Sequence, residues 1–270
     1  MTRYLGLQPG WSRLGSLTWN THMGTAMTED MWEWITDNLA PLQVIYLSEV
    51  DSWIKLQRLL GPEWRVVPNH AETMRNGRKA TTALALKRRR FHAGGRVTTR
   101  DIGFGSKHAR NLVTFTAVDK QTGRRTSFGS VHTDPLGKGF LEASPTARAR
   151  HVKQTGAAAA FAQGMLNEDE HAAVFLGGDF NEQLGDQLRI AANSDRLGRQ
   201  TAVHQLDRAG LTAAFAERSQ HRSVKLDDVF AGGRRVRCVQ RLQFRPPTKV
   251  HGADHLDHDL VYTVHKVKDL

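Results

Sequence analysis

The feature that most constrains this chain is the place where its apolar runs stop. Leu42 to Leu47 is a short run holding Val44, Ile45 and Tyr46, and it breaks at Ser48 and Glu49. Ala172 to Leu176 breaks at Gly177, Gly178 and Asp179. Thr126 to His132 and Ser16 to Asn20 end on a histidine and an asparagine. Runs this short, rich in β-branched and aromatic residues, read as largely buried strands. Strands end at the rim of a sheet, so polar side chains at several strand ends are able to converge on one site.

Helical segments alternate with these strands. Thr28 is a candidate N-cap, with Glu29 and Asp30 in the first turn and Met31, Trp34, Ile35 and Leu39 at helical spacing up to Pro41. Ser52 to Leu60 is a second helix closed by Gly61 and Pro62, and Ser144-Pro145 opens a long third one to about Leu166. A short helix near Val203 to Ala209 ends at Gly210. Further strands are expected at Trp64 to Val67, Thr81 to Leu86, Asn111 to Val118, Val224 to Phe230, Arg237 to Phe244 and Leu260 to Val267, with hairpin chemistry at Asp119 to Gly123. Hairpins mixed with strand–helix alternation predict two packed mixed sheets with helices outside, within a single domain spanning 1–270.

Charge narrows the partners. The formal net charge is +11, with basic residues concentrated at Lys87 to Arg90, at Arg148, Arg150 and Lys153, and at Arg234, Arg235, Arg237, Arg241 and Arg245. Such a surplus attracts polyanions, nucleic acid first among them, although an arginine-rich solvated surface has the same composition. The one cysteine, Cys238, excludes a disulfide framework within the chain and reads as a small buried hydrophobe. No signal peptide or membrane span is visible, so a cytoplasmic, monomeric protein without an evident protein partner is expected.

The rim residues carry the chemistry. A carboxylate at Glu49 is a hard oxygen ligand for a divalent cation such as magnesium, or serves the helix beginning near Ser52. Asp179 follows two glycines that let backbone approach a ligand closely, or it sits in an ordinary turn. If the chain stays extended, Asn181 lies on the same side and Phe180 points into the core. The densest titratable segment is His251, Asp254, His255, Asp257, His258 and Asp259, just before an apolar run. It reads as a zinc site, as a general acid/base histidine held by a carboxylate, or as a surface loop.

Six segments in order, Thr18-Trp19-Asn20, Tyr46-Leu47-Ser48-Glu49-Val50, Ser130-Val131-His132-Thr133, Gly177-Gly178-Asp179-Phe180-Asn181, Lys225-Leu226-Asp227-Asp228-Val229-Phe230 and Leu256-Asp257-His258-Asp259-Leu260-Val261, resemble the endonuclease/exonuclease/phosphatase superfamily. The resemblance runs from about Leu17 to Val264. It implies a four-layer α/β sandwich and a metal-dependent phosphoesterase. It also implies that Glu49 binds Mg2+ (or Mn2+), that Asn20 positions the metal or phosphate, and that Asp257 lies beside the metal. Asp179 would orient or deprotonate the attacking water, Asn181 would hold the scissile phosphate, and His258, aimed by Asp227, would act at the phosphoryl oxygens. His132 would stand near the leaving group. Arg110 and Arg78 sit where some members place phosphate-binding arginines.

The chain departs from the family pattern at Leu256 and Leu260, where a serine and a proline are usual, and at Asp228, where an aromatic or histidine is usual. Asp227 is preferred to Asp228, and the Asp257-His258 pair to Asp254-His255. With the basic surface, the resemblance implies a nuclease hydrolysing DNA or RNA. The alternatives are a phosphatase or phosphodiesterase for a small or lipid phosphate, and an inactive nucleic-acid-binding module.

Overall fold

The computed structural model describes residues 10–69, 81–104, 109–136, 140, 142–182, 199–214, 227–256 and 258–270. Arg78, Asp257, Lys225 and Leu226 lie outside the described residues. The strands are β1 (Trp11–Asn20), β2 (Val44–Val50), β3 (Trp64–Pro68), β4 (Thr81–Lys87), β5 (Arg96–Phe104), β6 (Ala109–Val118), β7 (Arg125–His132), β8 (Ala173–Asp179), β9 (Leu211–Ala213), β10 (Asp227–Gly232), β11 (Val236–Phe244) and β12 (Leu260–Lys268). The helices are α1 (Glu29–Asn38), α2 (Trp53–Leu60), α3 (Pro145–Glu168) and α4 (Ala202–Arg208).

These strands form two six-stranded sheets, ordered β11-β12-β1-β2-β4-β3 and β5-β6-β7-β8-β10-β9. Both are mixed: β1 with β2 and β7 with β8 run parallel, and the other pairs run antiparallel. The layers follow from the two-residue period of a strand, which sends neighbouring side chains to opposite faces. In β2, Val44 and Tyr46 enter a core between the sheets, while Ile45 and Leu47 pack under Met31, Ile35 and Leu56 of α1 and α2. In β8, Phe175 faces the inter-sheet core while Val174 and Leu176 pack under Phe161 of α3 and Leu206 of α4. The result is a four-layer α/β sandwich. Among the described residues no helix is long and apolar enough to cross a membrane.

The helix ends behave as their sequences predict. Thr28, Ser52, Ser144 and Thr201 each accept a backbone N–H of the first turn, and Pro145 occupies the start of α3. Three expectations are corrected. Arg90 does not belong to a solvated basic run: it is buried and paired with buried Asp119, Nη2 to Oδ2 at 2.6 Å. Cys238 is exposed, because β11 is an edge strand whose central residues no further layer covers. The strands β5 and β9 were not expected at all.

Candidate functional site

Strand register lines up the candidate residues before any side chain is considered. In the second sheet His132 pairs with Asp179, and Asp179 pairs with Asp227, so three titratable groups stand in one row across β7, β8 and β10. In the first sheet Asn20 pairs with Ser48, one residue before Glu49. His258 lies two residues before β12, a neighbour of β1. The rims of both sheets therefore meet at one end of the sandwich.

Asp179 is the centre. Its Oδ1 accepts the backbone N–H of Asn181 at 2.8 Å. Its Oδ2 is reached by Asn20 Nδ2 at 3.4 Å, by His132 Nε2 at 3.6 Å and by His258 Nδ1 at 3.7 Å. The His258 Nδ1 also makes a short contact with Asp227 Oδ2. A carboxylate only accepts, so that nitrogen carries the hydrogen and the ring is aimed by its partner. Asn20, His132, Asp179, Asn181, Asp227 and His258 are all buried. Asp228 does not take part in this contact: its Oδ1 accepts the N–H of Val229 at 2.7 Å. His255 stays exposed and pairs loosely with Asp254 at 3.9 Å, and Asp259 faces Arg245 and Gln243. The dense C-terminal segment is thus divided, and among its described residues only His258 enters the site.

The backbone here is unusual for reasons the local sequence only half shows. Asn181 has φ of 50°, so the chain turns after Phe180 instead of staying extended. The turn still sends Phe180 into the core and brings Asn181 Nδ2 to the carbonyl of Thr133 at 3.0 Å. Thr133 answers by donating from its N–H to the Asp179 carbonyl and from Oγ1 to the Phe180 carbonyl. The glycines of β8 make room for protein, where close approach of a ligand was expected. A Cβ on Gly177 would meet the Tyr46 ring at 2.3 Å, and one on Gly178, at φ of 132°, would meet the Val131 carbonyl oxygen at 2.1 Å.

Glu49 stands at the end of β2 with φ of 58°, another left-handed residue at the rim. Its carboxylate is half-buried and makes no ion pair or hydrogen bond to the described residues, while its carbonyl accepts the Thr21 hydroxyl at 2.7 Å. Asp179, Asp227 and His258 offer ligand atoms all within 4.8 Å of one another, a group that Glu49 does not join. The donor set fits a hard divalent cation. Glu49 is a carboxylate unengaged by the described residues, one position from Ser48, the register partner of Asn20, and carboxylate and amide oxygens are the donors such an ion prefers.

Arg110 approaches from β6. Its Nη1 lies 3.1 Å from His132 Nδ1 and its Nη2 lies 3.7 Å from Asp134 Oδ1. Behind this stands a polar cluster that sequence reasoning missed. Asp134 pairs with Arg150 at 3.1 Å, and its N–H donates to Gln154 Oε1 at 2.7 Å. The imidazole of His151 lies between the Asp134 carbonyl and Glu182, its Nε2 being 2.9 Å from Glu182 Oε2. Glu182 also accepts the N–H of Ala202 at the start of α4. The available signals were Asp134 two residues after His132, and His151, Gln154 and Thr155 at helical spacing on α3.

The chain matches no protein-family model and no curated protein. Its similarities are to solved structures. The human Nocturnin catalytic domain with bound sulfate anion superposes with a TM-score of 0.66 at 14% identity, over 94% of each chain. An endonuclease/exonuclease/phosphatase family protein from Bacteroides thetaiotaomicron gives 0.66 at 10% identity over 96% of each. D. rerio TDP2 complexed with single strand DNA product gives 0.62 at 14% identity, over 94% of this chain and 99% of that one. At these identities the likeness is one of architecture: the chain has the fold of the endonuclease/exonuclease/phosphatase superfamily.

Proposed function

We propose that the protein is a metal-dependent phosphodiesterase, and specifically a nuclease that hydrolyses DNA or RNA. The observation that carries this reading is the convergence of Asn20, His132 and His258 on one oxygen of Asp179, with Asp227 behind His258. Phosphodiester hydrolysis needs a water aimed at phosphorus, donors for the phosphoryl oxygens and a proton for the leaving oxygen. Asp179 is the group to orient the water and accept its proton. Asn20 and Asn181 hold the carboxylate and present amide groups to a phosphate. His258, its ring fixed by Asp227, donates from its other nitrogen to a phosphoryl oxygen. His132, held by Arg110, covers the leaving-group side. Glu49, with Asn20 and Asp179, would hold Mg2+ or Mn2+, which supplies charge relief on the phosphoryl oxygens. Two of the similar structures agree in kind: D. rerio TDP2 is complexed with single strand DNA product, and the human Nocturnin domain carries a sulfate anion. The net charge of +11 suits a polyanionic substrate.

The test is cleavage of plasmid and of single-stranded oligonucleotide with Mg2+ or Mn2+, against EDTA and an Asp179→Ala variant. Metal-dependent cleavage lost in the variant is the expected result. Turnover of a generic phosphodiester or phosphomonoester with no cleavage of any nucleic acid would move the protein to a small-phosphate esterase.

A further inference from the structure

A cation-lined cavity lies away from Asp179, on the outer face of the second sheet. Along β5, alternate residues Arg96, Thr98, Arg100 and Ile102 face the side that carries α3. Ile102 is buried in the core under α3, whereas Arg96 and Arg100 continue past that cover and are exposed. The helix runs alongside in the opposite sense. Lys153 stands by Gly103, and Phe161 lies under the Arg100 guanidinium at 5.5 Å. Between β5, β6 and the helix opens a trough of about 490 Å³. Its floor is hydroxyl-bearing (Thr98, Thr114 and Thr116), its cations are Arg96, Arg100 and Arg125, and no carboxylate among the described residues lines it. Glu168, the partner of Arg125, is engaged by it at 3.2 Å.

The trough connects with the site. Arg150 and Lys153 are three residues apart on α3, so they share a helical face, and Arg150 reaches Asp134, which Arg110 also faces. Cations therefore run from Arg110 at the site through Arg150 and Lys153 to Arg100 and Arg96. Arg110 and Thr114 are four positions apart on β6, which puts the trough about 14 Å from Arg110. A groove that sets arginines and threonine hydroxyls beside an aromatic ring, Phe161, matches a phosphate backbone with its bases.

We infer that this trough is a docking track for a nucleic-acid strand, engaging phosphates several nucleotides away from the bond cleaved at Asp179. The inference rests on the nuclease reading and adds to it a length dependence: strands long enough to fill both places bind more tightly than short ones. The experiment compares the wild type with Arg96→Glu/Lys153→Glu, whose side chains are exposed and outside the catalytic cluster. The control, Arg58→Glu/Arg237→Glu, makes the same charge change on α2 and β11, away from the second sheet. Each is assayed on single-stranded oligonucleotides of increasing length across a salt series. The expected result is a KM raised about tenfold for long strands in the trough variant, with kcat unchanged and the shortest cleavable strand unaffected. Its log–log salt slope becomes shallower by about two. The milder Arg96→Gln/Lys153→Gln pair should shift in the same direction by less, which separates lost docking from misfolding. If trough and control variants lose equally, or if the loss does not depend on strand length, the track is overturned while the nuclease reading stands. A wild type silent on every nucleic acid overturns both.

Discussion

Two histidines seven residues apart, His258 and His265, are each about as buried as the other, at 3% and 1% exposure, yet they live in opposite surroundings. His258 is at the rim, against Asp227 and within 3.7 Å of Asp179. His265 is in β12, its ring edge-on to Phe175 at 5.3 Å in the layer between the sheets, and neither of its nitrogens has a hydrogen-bond partner among the described residues. Burial holds its pKa down to about 4, from the usual 6.5. Tyr46, in the same layer, shows the matching effect for an acid: burial pushes its phenol well above the usual range. Between the sheets these two groups are held in their neutral forms, because nothing beside them compensates a charge. At the rim, imidazoles are matched with carboxylates. Burial alone therefore does not mark a functional histidine; the partners do.

The sharpest way to break this contrast is to remove the two rings separately. His258→Gln should lower kcat/KM by about 10³-fold or more, the scale of a lost acid/base group, with thermal unfolding moved by only a few degrees. His265→Phe should leave kcat/KM within about twofold, since the ring takes no part at the rim. Equal losses from both variants would mean that general packing controls activity and that the contrast is empty.

His265 makes a signed pH prediction. Its folded pKa of about 4 lies below the unfolded value of 6.5, so the unfolded chain takes up a proton first as pH falls. The stability this group contributes is complete above pH 6.5 and is lost between there and about 4. The loss is at most about 3 kcal/mol. Denaturant unfolding at stepped pH should show this slope in the wild type and a flatter one in His265→Phe. An identical slope in both proteins would show that His265 finds a proton partner in the folded state.

Asp227→Asn sharpens the rim side of the comparison. The amide oxygen still accepts from His258 Nδ1, so the ring stays aimed while the neighbouring negative charge is gone. A fall of about 10²-fold in kcat, with KM nearly unchanged, is expected. A loss as large as that of His258→Gln would show that Asp227 has a further role, such as holding metal, as its place near Asp179 and His258 permits.

Much of the rim was legible because four of its residues end apolar runs that announce them. Asn20, Glu49, His132 and Asp179 all end such runs. What was not legible depended on distant partners. β5 reads Arg-Val-Thr-Thr-Arg-Asp-Ile-Gly-Phe, and as a charged edge strand with a half-open face it carries little apolar periodicity. The His151–Glu182 contact joins residues 31 apart through a fully buried pair, and no local pattern marks two polar residues that satisfy each other. Gly177 and Gly178 looked as if they made space for a ligand, yet their constraints come from Tyr46 on the other sheet and Val131 on the next strand.

Cys238 offers the smallest effect and a direct check on the same lesson. From sequence it read as a buried hydrophobe, since free cysteines are usually inside. Its place in the edge strand β11 instead leaves it exposed, with its thiol 3.5 Å from the Gln240 carbonyl where the strand register shifts. An exposed side chain off the core has little to lose by gaining polarity. Cys238→Ser should therefore change unfolding free energy by no more than about 0.5 kcal/mol, and the wild-type thiol should react with a maleimide in the folded protein as fast as in the unfolded chain to within about tenfold. A destabilisation above about 2 kcal/mol, of the size expected for burying an unpaired hydroxyl, together with a thiol protected until unfolding, would show that another surface covers β11 and that the edge is not open.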